Sequence, residues 1–351
     1  MKCKTIFLLL LATVALSVAT GCGRKTRGFG EGTELYVIAD KENWKALEPT
    51  LREVFEHVVE TPQPEKVFEV FWVPPERFNE FATRKNLVII GTLNSQGEID
   101  QKVAGMLSAG VKQKVLSGSA FVFPKKDPWA KNQLLVVLAS PTPQDLEAKL
   151  KENKDYLYGL FETKLVEETT QQMYKTLEQK DLSEKLLKNY GWTLRVQHDY
   201  FINTERKQDR FVMLRRSLAD RERWLFVHWI EDGDPSVIDQ DWVVKTRNKL
   251  TAKFYEGDRI NPDHVESKEV EFAGRPALLV QGLWENEQKM AGGPFRTYAF
   301  YDEESGRIYL VDIAVFHPAG KKEPFLRQLD IMAHTFRTAA DVEKEASRGA
   351  S

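Results

Sequence analysis

Histidines, cysteines and carboxylates are the side chains here able to ligate a metal, attack a carbonyl or carry protons. His57, His198, His228, His264, His317 and His334 include neither a pair four apart on a helix nor a His-x-His. Those are the spacings that put two imidazoles on one ion. Asp232, Asp234, Asp239 and Asp241 cluster as in a calcium loop. Counted from Asp232, however, the sixth and twelfth positions are Val237 and Val243, where such a loop has glycine and glutamate. A turn and a helix start, where acids complement the dipole, accounts for the cluster. There is no Gly-x-Ser-x-Gly elbow, and Gly320-Lys321-Lys322 is not a phosphate loop. Glu285 and Glu287 are a carboxylate pair whose use depends on their separation in space. The reading leans away from an enzyme, and neither a catalytic residue, a metal nor a cofactor is expected.

The two thiols are Cys3 and Cys22, and the residues before Cys22 define its chemistry. Lys2 and Lys4 precede an apolar run from Ile6 to Ala19, which ends in Ala19-Thr20-Gly21-Cys22. A basic start, an apolar run and a small-residue cleavage site are the parts of an export signal. The run is shorter than the about 20 apolar residues a spanning helix needs. The last four residues resemble a lipobox, the site at which bacterial lipoproteins are cut before a cysteine whose sulfur carries a diacylglyceryl group. That resemblance implies removal of 1–21 and lipid attachment at Cys22. The remaining chain then has no second cysteine, so its fold rests on its core and not on a disulfide. Several acyl chains, at about 0.8 kcal/mol per buried CH₂, anchor firmly to a bilayer. Gly23 follows the cysteine, where resemblance to enterobacterial lipoproteins would put aspartate for inner-membrane retention, and there is no acidic run of the kind that marks surface export in some Bacteroidetes lipoproteins. The expected place is the bacterial cell envelope, at the outer membrane facing the periplasm.

One stretch has the composition of a binding surface. Trp284 is followed by Gly292, Gly293, Pro294 and Phe295, and Arg215 and Arg216 end a strand. Tryptophan and arginine are favoured at binding hot spots, and glycines let a partner's backbone approach. A strand-connecting turn beside a core tryptophan is the alternative.

These residues require a folded body. Eight Trp and 20 Phe supply apolar mass. Once Lys2 and Lys4 are removed, 48 basic residues face 52 acidic ones, a net charge of −4 with no pull toward nucleic acid. After a flexible tether at 22–33, the pattern predicts an N-terminal α/β lobe over 34–162. Its strands are Glu34–Ala39, Val67–Val73, Asn86–Gly91, Ser119–Phe123 and Leu134–Ala139. Asp40 is placed to cap a helix that Pro49 should break. Thr142-Pro143-Gln144-Asp145 starts a helix, and apolar residues at helical steps continue it through a connector at 163–191 ending at Gly191.

Residues 192–338 predict an α+β lobe: an antiparallel sheet with helices packed on one face. One helix starts near Ser236 with Asp239 three residues on, and another carries Phe325, Leu329, Met332 and Phe336. Residues 339–351 read as a disordered tail. Phe68-x-Val70 and Trp192-x-Leu194 echo each other and suggest a remote duplication of the lobes.

Several stretches carry a family likeness. They are Tyr190-Gly-Trp192 with Asp199-Tyr200, Phe211-x-x-Leu214-Arg215-Arg216, and Gly282-Leu-Trp284-Glu285 with Gly292-Gly293-Pro294-Phe295. His317-Pro-Ala-Gly-Lys321-Lys322 with Leu326-Arg327-Gln328-Leu329-Asp330, and Asp127-x-Trp129-Ala130, complete the set. With the lipobox they resemble the Bacteroidetes-type envelope lipoproteins of domain of unknown function 4837. The likeness implies an envelope location over nearly the whole processed chain and supplies no mechanism. Gly274-Arg-Pro-Ala277 with a last strand and closing helix is similar to extrinsic photosystem-II subunits of the PsbP type. The expected function is a membrane-anchored, non-enzymatic binding or scaffold component. Its partners are the membrane, through the acyl chains, and an envelope protein or glycan. An envelope-polymer hydrolase and a carrier of a lipid-like ligand are the alternatives.

Overall fold

The computed structural model describes residues 25–218, 220–254 and 257–349. The export signal and Cys22 lie outside the described residues. Among the described residues no helix is long and apolar enough to cross a membrane.

The first lobe runs β1 (Glu34–Ile38), α1 (Lys41–Phe55), β2 (Val58–Val59), β3 (Glu65–Lys66), β4 (Glu69–Val73) and α2 (Phe78–Phe81). It continues with β5 (Asn86–Thr92), α3 (Glu98–Met106), α4 (Ala109–Leu116), β6 (Val122–Lys126) and β7 (Leu134–Ser140). The sheet order is β4-β1-β5-β7-β6, parallel except for β6. Both faces are covered, which is why β5 and β7 are apolar without alternation. Leu47, Leu51, Phe55, Leu146 and Phe161 close one face; Phe81, Ile99, Val103 and Val115 close the other.

Pro49 does not break α1. Helix-interior proline costs about 3 kcal/mol, but Trp44, Leu47, Leu51, Val54 and Phe55 are buried along one face and hold the helix through it. Asp40 does not cap α1 with its side chain. Its Oδ2 instead accepts the backbone N–H groups of Ile99 and Asp100, both at 3.0 Å, and so caps α3 from the end of a different strand.

Three helices follow: α5 (Pro143–Glu152), α6 (Lys154–Met173) and α7 (Lys180–Tyr190). Thr142 Oγ1 accepts the Asp145 N–H at 3.2 Å, the cap its sequence predicts. A boundary at residue 162 falls inside α6, whose Leu157, Phe161 and Leu165 belong to the first core and whose Met173 belongs to the second. Gly191 ends α7 with φ +76°, a conformation that favours glycine.

The second lobe contains β8 (Trp192–Thr193), β9 (Phe201–Arg206), β10 (Phe211–Leu218), β11 (Arg221–Ile230), α8 (Gln240–Phe254), β12 (Arg259–Phe272) and β13 (Arg275–Asn286). It ends with β14 (Ala291–Asp302), β15 (Arg307–Phe316), α9 (Glu323–His334), β16 (Arg337–Thr338) and α10 (Ala339–Gly349). Seven strands form one antiparallel sheet in the order β12-β13-β14-β15-β11-β10-β9. The α+β class holds, with one change: helices cover both faces. Val311, Ile313 and Val315 meet Leu326 and Leu329 of α9 on one side. Leu310 and Ala314 lie in the same core as Val243 and Leu250 of α8 on the other. Period-two alternation therefore sends apolar residues both ways along β15. The cap of α8 is Asp239, whose Oδ1 accepts the Trp242 N–H at 2.7 Å, and Asp234 caps the preceding turn.

Both chain-end expectations change. Residues 25–32 are laid against the first lobe: Gly28 donates to the Lys131 carbonyl at 2.8 Å, and the Arg84 guanidinium lies 4.1 Å over Phe29. The stretch from 339 is helical, with Asp341 held by Arg275 at 2.7 Å. A parallel sheet in one lobe and an antiparallel one in the other also end the idea of a duplication.

Candidate functional site

The residues singled out as a binding surface do not form one. Trp284 and Phe295 are buried, and Trp284 Nε1 donates to the Val315 carbonyl at 3.3 Å. The glycines belong to β14 and not to a flexible loop, with Gly293 opposite Trp284 and Pro294 opposite Leu283. A Cβ on Gly293 would stand 2.0 Å from the Val315 oxygen, so glycine serves close packing inside the sheet. Arg215 pairs with Glu222 at 2.5 Å. Arg216 lies on the opposite face of β10 and contacts Asp199 at 3.4 Å. Glu285 and Glu287 are both bound by Arg259, which removes them as a free carboxylate pair.

Sheet topology offers a second place. The strand order reverses between β1 and β5, where doubly wound sheets bind ligands beyond their carboxyl ends. Here the crevice is filled by the protein itself. Asp100 Oδ1 accepts from Asn43 at 2.8 Å and from the Thr92 N–H at 2.6 Å, and Asp40 occupies the rest. A Cβ on Gly97 would stand 2.2 Å from Asp40 Oδ2.

An open space lies between the lobes, a cleft of about 1060 Å³. Its walls are α6, β2 and the segment to Glu60 on one side, and β12 to β14 with α9 on the other. Asp330 is the best-held group in it: Oδ1 accepts the Tyr298 hydroxyl at 2.5 Å and Oδ2 meets Arg296 at 3.0 Å. One turn away, Arg327 Nε donates to Glu323 at 2.8 Å. On the facing wall His57 stacks on Tyr158 at 3.7 Å.

The electrostatics follow from enclosure. Glu162 keeps solvent-exposed surface yet lines the cleft, which takes part of it out of water. That partial burial raises its pKa, Arg296 opposes the rise, and the Asp330 charge adds to it. Burial pushes the Tyr158 and Tyr298 phenols up and the His57 imidazole down. Burial works against the Arg296 charge, but Asp330 holds its pKa above the ordinary value. Seven acidic side chains and three basic ones line the cleft among the described residues. Such walls orient a polar, hydrogen-bonding ligand. Among the described residues no three His, Cys, Asp or Glu side chains converge as for a metal.

The comparisons divide at this cleft. Residues 179–335 match the model described as Domain of unknown function (DUF4837). The likeness to this family holds over that segment. Residues 29–174 match a different model, Domain of unknown function (DUF8532). The family likeness expected over nearly the whole processed chain therefore covers its second lobe, and Asp127-x-Trp129 falls in the other segment. The segment matching DUF4837 contributes Arg296, Tyr298 and Asp330 to the cleft, and the segment matching DUF8532 contributes His57, Tyr158 and Glu162. No curated protein matches the chain in sequence. Among solved structures, it is similar to LpqN, involved in cell envelope biogenesis of Mycobacterium tuberculosis, at 13% identity over 41% of this chain and 81% of that one, with TM-score 0.27. It is also similar to the Saccharomyces cerevisiae Ran-binding protein Mog1p, at 13% identity over 44% of this chain and 92% of that one, with TM-score 0.28.

The cleft residues carry a signal in the sequence that composition alone conceals. Arg296 and Tyr298 are two apart on a strand, so they share a face. Glu323, Arg327, Asp330 and His334 recur at helical steps on one side of α9. What brings these two rows against Glu162 is tertiary.

Proposed function

We propose that this chain is a membrane-anchored binding component of the bacterial envelope, attached through Cys22 at the outer membrane and facing the periplasm, whose interlobe cleft takes a polar glycan or peptide. The observation that supports it is the cleft itself: an open groove with charged, hydrogen-bonding walls supplied by two different domains. Its acid excess favours a ligand carrying amino groups. A lipid-like ligand would take water from exposed carboxylates such as Glu266 and Glu271, which weighs against a carrier.

Titration of the full chain with chitosan oligomers and with neutral chitin oligomers tests this, using oligolysine as the peptide arm. Saturable heat from an amino-bearing ligand, weakened at least several-fold in Glu266→Gln, is the expected result. Absence of saturable binding in every arm, or binding unchanged by that substitution, would contradict it.

The hydrolase reading draws on the position of Glu162 in the cleft, where partial burial raises its pKa and the Asp330 charge adds to the rise. A proton donor next to a second carboxylate is the arrangement glycosidases use. Incubation with envelope glycan distinguishes the two readings. Binding without new reducing ends is expected here, and turnover abolished by Glu162→Gln would favour the enzyme.

A further inference from the structure

Away from the cleft, three arginines meet at the end of the β10–β11 hairpin on the α9 side of the sheet. Arg216 and Arg223 are directly opposed across the two strands, and Arg221 lies two residues before Arg223 on the same face. Like charges so placed repel. Arg221 and Arg223 both lie over the Phe325 ring, at 5.7 and 4.6 Å.

Compensation around them is thin. Arg216 meets Asp199 at 3.4 Å, but that aspartate side chain is 68% exposed. Arg221 meets Asp220, itself 58% exposed, at 3.6 Å. Arg223 is 3% exposed and has no carboxylate within ion-pair distance among the described residues. Among the described residues its side chain donates one hydrogen bond, from Nη1 to the neutral Gln328 side chain at 2.9 Å. The Nε atoms of Arg216 and Arg223 are buried without an acceptor, and that of Arg221 faces only Asp220 Oδ1, at 3.6 Å and beyond hydrogen-bond distance. Beside them the Tyr200 hydroxyl, in a residue 2% exposed, has no partner either. Burial and the neighbouring guanidiniums lower the pKa of Arg223, while Tyr200 and Asp199 oppose this.

A buried guanidinium without a counter-ion is strongly unfavourable, and a tetrahedral oxyanion is the group whose geometry matches several planar donor forks. We propose that Arg216, Arg221, Arg223 and the Tyr200 hydroxyl form a binding site for a phosphate-class oxyanion, separate from the interlobe cleft. The anion replaces the missing countercharge and is reached through the partly exposed Arg216 and Arg221 side chains. Its source is either free phosphate or the phosphodiester of a lipid headgroup.

The test uses the full chain in mild detergent at constant ionic strength, titrated with inorganic phosphate and, separately, with glycerophosphoglycerol as a soluble headgroup. Saturable binding and a rise in melting temperature are expected from one of them; whichever binds more tightly identifies the source. Arg216→Gln, at the rim, keeps the fold. It should raise the ligand-free melting temperature by relieving repulsion and weaken binding at least tenfold. Tyr200→Phe should weaken it several-fold. An arginine present for packing alone would lower the melting temperature when shortened. No saturable binding of either probe, or binding unchanged in Arg216→Gln, overturns the proposal.

Discussion

The carboxylate of Glu65, on a two-residue strand of the first lobe, accepts the backbone N–H of Glu323 in the second at 2.9 Å. It also accepts the Lys322 N–H at 2.9 Å, so a side chain more than 250 residues upstream caps α9. The helix carrying Asp330 is thereby fixed to the opposite wall of the cleft. Glu65→Ala should cost about 1 kcal/mol, the usual value of a lost cap. Urea unfolding measures the loss, and hydrogen exchange at the first turn of α9 should rise with it. Unchanged exchange there would show that the lobes are held together by other contacts.

Arg247 and Asp312 are a fully buried pair at 2.7 Å, on α8 and β15, with Thr297 also donating to Asp312 at 2.6 Å. Removing one partner of such a pair strands the other charge. Arg247→Met should therefore cost about 3–5 kcal/mol, whereas the double variant Arg247→Met, Asp312→Leu should recover most of that loss. A double-mutant cycle in denaturant is the measurement.

Glu162 sets a pH dependence whose sign follows from its raised pKa. The folded state holds this proton more tightly than the unfolded chain, where the carboxyl titrates near about 4.3. Its stabilising contribution is thus full below that pH and is lost as pH rises through the raised folded value. Glu162→Gln keeps a neutral group there. The variant should match the parent at low pH and exceed it in melting temperature above the carboxylate range. Equal melting temperatures at all pH values would show that the carboxylate is as well solvated folded as unfolded.

Gly293 is packed under Trp284 against the Val315 oxygen. Gly293→Ala should cost about 1–3 kcal/mol through overpacking, read from thermal unfolding, and should blue- or red-shift the Trp284 fluorescence as its indole is displaced. A neutral outcome would mean that the sheet opens locally at little cost.

That glycine also explains what was legible beforehand. The α+β class, the Thr142 cap, the Gly191 stop and most strands follow from period and capping, which are local. Gly292-Gly293-Pro294 looked like a loop because close backbone approach and loop freedom both select glycine, and only a third strand beside Trp284 distinguishes them. The second covered face of the sheet was visible in β15, where Ile308 to Ile313 is polar only at Asp312. The cleft was not visible: Glu162 and Asp330 are far apart in the chain, and neither sequence neighbourhood shows that the other will face it.

The claim at the centre of this account is that the space between the lobes is occupied in the cell. A photoreactive benzoylphenylalanine in place of Val58, exposed and lining the cleft, measures this directly in intact envelopes. The same group in place of Met290, 94% exposed at the tip of the β13–β14 hairpin, is the control. A discrete light-dependent adduct to envelope glycan or peptide is expected at position 58, none at 290, and its loss with Cys22→Ser. No adduct at 58, or the same adduct at both positions, would contradict it.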